Sequence, residues 1–128
     1  MQLKTPVDLV LAASSDSMLI VRLTAAGVLA RAGATMERMD ALKSAVEEAC
    51  NCLVTQDNPP ERMALRFFCE CERLNFKVEC VQSESLCGNI DETEAEIIRC
   101  ILQGVADEVH LNIQNGRLQG IELSAALC

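Results

Sequence analysis

Leu42-Lys43-Ser44-Ala45-Val46-Glu47-Glu48-Ala49-Cys50-Asn51-Cys52-Leu53-Val54 is the stretch whose reading decides the fold. It holds no Gly or Pro and is rich in Ala, Leu, Lys and Glu, all good helix formers. Met39, Leu42, Val46, Ala49, Cys50 and Leu53 recur at three- and four-residue spacing. That period marks a helix buried along one stripe. The pattern predicts a helix from Met36 to Val54, with Thr35 as its N-cap and Asn58-Pro59-Pro60 as its break.

Outward from this helix, the chain divides into strands and two further helices. Val7 to Ala12 is a short apolar run and reads as a strand. Ser14 to Arg31 has helical spacing, with Leu19, Ile20, Leu23, Ala26, Gly27 and Ala30 on its apolar side. Ser14 or Ser15 is its candidate cap, and Gly33 stands just past its end. Arg62 to Glu70 and Leu74 to Val81 read as a hairpin turning at Glu72-Arg73. Gln82 to Ile90 is a polar loop. A helix from Glu92 to Val105 carries Ile97, Ile98, Ile101, Leu102 and Val105 as its buried stripe, and Asp91-x-x-Glu94 has the form of a capping box. Val109 to Gln114 and Leu118 to Ala126 close the chain as a hairpin about Asn115-Gly116. Strand, two helices, two strands, one helix and two strands predict a two-layer α/β sandwich. Its sheet is mixed and mostly antiparallel, with three helices on one face, and residues 1–128 form a single domain.

Composition removes several function classes. The net charge of −8 and the absence of Trp and Tyr argue against nucleic acid, which needs clustered cations and stacking platforms. An acidic chain is better matched to a basic protein partner. No apolar run of about 18 residues is present, so no membrane span is expected. Met1 to Ala13 has neither the charge nor the apolar pattern of a secretory signal. The eight cysteines then read as small core residues of a reduced, cytoplasmic protein. Zinc is the sharper alternative, but the close pairs Cys50/Cys52 and Cys69/Cys71 are C-x-C. On a helix the first pair lies about 200° apart. On a strand the second pair shares one face, with only the distant His110 to join it.

Three stretches together resemble one known family. Arg22-Leu23-Thr24-Ala25-Ala26-Gly27-Val28-Leu29-Ala30-Arg31-Ala32-Gly33 looks like its R-L-x-x-x-G-V-x-x-R-x-G. The helix quoted first looks like its L-K-x-A-V-x-E-A-x-x-N-x-V. Leu102-Gln103-Gly104-Val105-Ala106-Asp107-Glu108-Val109, followed by Asn115-Gly116, is similar to its L-x-x-x-M-D-E-V ending and polar turn. The family is the anti-sigma-factor serine/threonine kinase branch of the histidine-kinase-like (Bergerat fold) ATPases. The resemblance implies a four- or five-stranded sheet backed by three helices, a homodimer, and binding of a sigma factor. It also implies Mg-ATP as cofactor and phosphorylation of a serine on an anti-sigma-factor antagonist.

Residue by residue, the resemblance puts the catalytic glutamate at Glu48, which otherwise reads as a solvated helix-face carboxylate. The position of the magnesium-binding asparagine is Cys52, and a thiol is a soft, poor magnesium ligand. Asn51 lies next door but is rotated by about 100°. Pairing Glu47 with Asn51 would restore E-x-x-x-N, yet Leu42, Ala45, Val46 and Ala49 resist that shift. Gln82 stands where the adenine-binding Asp is expected, and Glu84 where the first glycine of D-x-G-x-G is. Glu96-Ile97-Ile98-Arg99 replaces G-x-G-L. Asp91, Glu92, Glu94 and Glu96 crowd a helix start that would otherwise favour phosphate. The loop from Gln82 to Asp91 is also short for an ATP lid.

The expectation is therefore an anti-sigma-factor-like regulator acting through protein–protein binding, with ATP binding weak or lost. Its partners would be a sigma factor, an antagonist protein, or both. Arg22 and Arg31 are the candidate contacts, or else ordinary surface charge. An active serine/threonine kinase using Glu48 is the alternative. A thiol-regulated module built on Cys50, Cys52, Cys69 and Cys71 is a third reading.

Overall fold

A computed structural model of the chain describes residues 5–81 and 88–128. Among them, strands β1 (Val7–Ala12), β2 (Arg62–Glu70), β3 (Arg73–Val81), β4 (Glu108–Gln114) and β5 (Arg117–Ala126) form one sheet, ordered β1-β2-β3-β5-β4. Every neighbouring pair is antiparallel, so the sheet expected to be mostly antiparallel is antiparallel throughout. Helices α1 (Met18–Ala32), α2 (Met36–Val54) and α3 (Glu92–Gln103) form the second layer of this α/β sandwich.

Register follows from period-two burial. Phe67 pairs with Phe76, Leu65 with Val78, and Cys69 with Leu74, all on the helix-facing side. The rings of Phe67 and Phe76 pack with centroids 4.9 Å apart and their planes tilted by 45°. On the open face one row crosses all five strands as Asp8, Arg66, Lys77, Glu122 and His110. A sheet covered on one side keeps such a polar row in water.

Helix α2 buries Leu42, Ala45, Val46, Ala49, Cys50 and Leu53, close to the expected stripe. Thr35 Oγ1 accepts a hydrogen bond from Arg38 N at 3.3 Å, as an N-cap does. Arg38 then donates to the carbonyls of Ala126 and Val105, tying α2 to the ends of β5 and α3.

Helix α1 departs from expectation. A 3-10 turn over Ser15–Ser17, capped by Ser14, precedes it, so it starts at Met18 rather than Ser14. Its buried residues are Val21, Ala25, Val28 and Leu29, while Leu19, Ile20 and Leu23 are 58%, 49% and 62% exposed. The helix is apolar all round, so spacing alone does not say which side meets the core. Helix α3 shows the same effect more mildly. Ala95 and Leu102 are buried, but Ile97 and Ile101 face outward. It also stops at Gln103, because Gly104 closes it and Val105 leads into β4.

The β2–β3 turn is Cys71-Glu72, both with positive φ, rather than Glu72-Arg73. Cys71 is thus an exposed turn residue and does not share a strand face with buried Cys69. Asn115-Gly116 makes the other turn, with φ of 54° and 70°. This is the backbone twist that two-residue hairpins favour. Among the described residues, no helix is long and apolar enough to cross a membrane.

Candidate functional site

The flanks of α2 give its polar residues different jobs. Successive helix positions differ by about 100°, so Glu47 and Glu48 leave the helix on opposite sides of its buried stripe. Glu47 turns toward α1 and pairs with Arg22, whose Nη2 donates to Glu47 Oε2 at 3.4 Å. That carboxylate raises the pKa of Arg22, so the arginine stays charged. Glu48 turns the other way and accepts a hydrogen bond from the Cys52 thiol, one turn on, at 3.8 Å. Asn51 is exposed on the outer side, and its carbonyl accepts from Thr55 N and Oγ1. In the frame that pairs Glu47 with Asn51, Glu47 is thus engaged with Arg22 and Asn51 faces outward.

Cys52 lines a cleft of about 250 Å³ between the end of α2, the first turns of α3 and the β4–β5 turn. Its other walls include Gln56, Asp57, Ile90, Glu94 and Arg117. Gln56 holds one wall in place, donating to Leu118 O at 3.0 Å and accepting from Leu118 N at 2.9 Å. The opposite wall is pinned by Gly88 N to Asn115 O at 3.0 Å and Ile90 N to Gly116 O at 2.8 Å. A Cβ on Gly116 would stand 2.5 Å from the Gly88 carbonyl, so the two backbones meet only because both residues are glycine.

Chemically the cleft suits neither magnesium nor a triphosphate. Burial, reinforced by the charge of Glu48, pushes the Cys52 thiol from its ordinary 9.0 up to about 12. A neutral thiol is neither a hard-cation ligand nor a nucleophile. No cluster of three or more His, Cys, Asp or Glu side chains able to hold a metal ion occurs among the described residues. At the start of α3, Asp91 Oδ1 already accepts from Glu94 N at 2.8 Å, and Glu92 and Glu94 add charge in the first turn. Glu94 and Asp57 would meet an incoming phosphate in the cleft. The volume also falls below the ~300 Å³ at which small-molecule pockets usually begin. Magnesium and ATP therefore do not fit the residues described.

Gln82, Glu84 and Cys87 lie outside the described residues. Arg31 is exposed in the last turn of α1, and Arg22 is the arginine already engaged with α2. Sequence reasoning missed Arg117, the one charged side chain that is buried among the described residues, at 1% exposure. Its position directly after the Asn-Gly turn, at the first residue of β5, is the signal that was available. It also missed a shallow trough of about 650 Å³ on the open sheet face, lined by Arg66, Phe68, Lys77, His110 and Glu122. Its cations are already matched: Arg66 donates to both oxygens of Asp8 at 2.7 and 3.0 Å, and Lys77 lies 3.5 Å from Glu122.

The cysteines sort by burial. Cys50 is fully buried and its thiol is pushed up to about 12, mainly by loss of solvent. Burial also raises Cys69 and Cys80, the latter against the opposing charge of Arg117. Three of the four thiols in the thiol-module reading are thus held protonated, which removes their reactivity. Among the described residues, Cys71, Cys100 and Cys128 are the exposed cysteines. In comparisons with known proteins, the chain matches no family model and no curated protein.

Proposed function

We propose that this chain is a non-catalytic, anti-sigma-factor-like regulator that acts by binding another protein in the cytoplasm. The observation that carries the reading is the Glu48–Cys52 contact. Where the resembled kinases place a carboxylate and a magnesium amide, this chain has a carboxylate accepting from a neutral thiol. Such a pair supplies no metal shell for phosphoryl transfer. What remains is binding surface. Ile97 and Ile101 are half exposed on α3 beside Glu92 and Glu96, a face suited to a partner with apolar and basic side chains. A sigma factor or an anti-sigma-factor antagonist is the proposed partner.

Titration calorimetry with Mg-ATP and Mg-ADP tests the reading. No heat at millimolar nucleotide is expected, together with capture of a sigma factor or antagonist from the source organism at native protein levels. Micromolar nucleotide binding would overturn it. It would return the chain to active kinase status, with phosphate transfer that disappears in Glu48→Ala.

A further inference from the structure

We propose that the trough on the open face of the sheet is a small-molecule site, which takes an organic cation carrying one aromatic ring. One row of side chains forms its floor. Phe68 of β2 pairs with Asn75 of β3, Asn75 with Ser124 of β5, and Ser124 with Glu108 of β4. All four line the trough, whose volume of about 650 Å³ is that of an ordinary ligand pocket. Neighbouring strands lie about 4.8 Å apart, so Phe68 and Glu108 stand about 14 Å from each other at the two ends of the row. The floor thus runs from an aromatic ring, through an amide and a hydroxyl, to a carboxylate.

Which groups are already engaged decides the ligand. Both oxygens of Asp8 hold Arg66, and Lys77 lies 3.8 Å from Glu79 and 3.5 Å from Glu122. Arg73 pairs with Asp107 at 3.3 Å and donates to Ser124 Oγ at 3.0 and 3.2 Å. These cations are matched, which disfavours an anionic ligand. The Ser124 hydroxyl keeps its own hydrogen to donate. Asn75 and Glu108 are exposed, and among the described residues their side chains enter no hydrogen bond or ion pair. The uncommitted charge of the row is therefore negative, and it sits at the end away from the ring. A ligand that matches it lays an aromatic ring offset on half-buried Phe68 and sets an ammonium at Glu108. Asn75 and Ser124 meet polar groups between the two. The net charge of −8 draws such a cation toward the chain. A protein spread over the whole face would take the Asp8–Arg66 and Lys77–Glu122 pairs out of water, at a cost their attraction need not repay. A small molecule lying along the Phe68–Glu108 row leaves those pairs hydrated.

This inference goes beyond the regulator reading and does not depend on it. Amide-resolved NMR titration of the full chain with 6-phenylhexylamine tests it. Two control ligands are 6-phenylhexanoate, which reverses the charge, and hexylamine, which lacks the ring. Saturable shifts at Phe68, Asn75, Ser124 and Glu108 are expected with the arylamine, and clearly weaker binding with either control. Glu108→Gln should weaken the arylamine about fivefold, because it removes one surface ion pair. Glu70→Gln, which removes a carboxylate of the same sheet face outside the trough, should leave the affinity unchanged. Both positions are exposed, so both variants should fold as the parent does. No shift at millimolar arylamine, equal binding of 6-phenylhexanoate, shifts centred on the cleft beside Cys52, or an affinity indifferent to Glu108→Gln overturns the proposal.

Discussion

Because Cys52 is largely buried and donates its thiol to Glu48, alkylation of Cys52 will be slow in a predictable way. Its thiol is moved from 9.0 to about 12. At any pH below 9, that change leaves about a thousandfold less thiolate than an ordinary cysteine carries, and thiolate is the reactive form. Site-resolved mass spectrometry after timed iodoacetamide exposure, from pH 7 to about pH 10, would follow each cysteine separately. Exposed Cys71 and Cys128 serve as internal references. Glu48→Gln removes the carboxylate charge but leaves the burial, which is the larger cause. Labelling of Cys52 should therefore speed up in this variant while staying slower than at the exposed sites. Labelling of native Cys52 at the rate of Cys71, or a rate unchanged by Glu48→Gln, would refute the geometry of the cleft.

Three further outcomes are expected. Because Cys50 and Cys52 titrate near 12 when folded and near 9.0 when free, the folded chain binds more protons above pH 9. Stability is then whole below pH 9 and declines as pH rises toward 12, which urea melts at pH 8 and pH 10 would reveal. Gly116→Ala forces a Cβ at φ +70° to within 2.5 Å of the Gly88 carbonyl, and should cost about 1–3 kcal/mol in the urea midpoint. Phe67→Ala removes a fully buried aromatic side chain of β2 from beside Phe76 and should cost about 3–5 kcal/mol, checked by the same melt.

Much of the architecture was legible in the chain. The α2 stripe, the Thr35 cap, the Asp91 cap and the Asn115-Gly116 turn are local features, governed by neighbours three or four residues away. Period-two burial in β2 and β3 likewise fixes which residues face the helices. The site was legible in part. The Glu48/Cys52 spacing of four residues already places both on one flank, and the structure puts that flank at a cleft. Arg117 was not legible, because its burial depends on segments distant in sequence, with Cys80 of β3 and Gly88 lying against it.

What the sequence determined by itself was the period: which segments are helices, which are strands, and where turns must fall. It also placed a thiol at position 52 and carboxylates at the head of α3, which are facts of composition. Only the tertiary structure decided orientation. Helix α1 has apolar residues on every side, so its own sequence holds no preference for burying Val21, Ala25, Val28 and Leu29 over Leu19, Ile20 and Leu23. That choice is made by the fit of α1 against α2 and β2, and by the Arg22–Glu47 contact, which anchors one edge of the helix. An amphipathic helix such as α2 states its inward face locally, whereas an apolar one receives it from its neighbours.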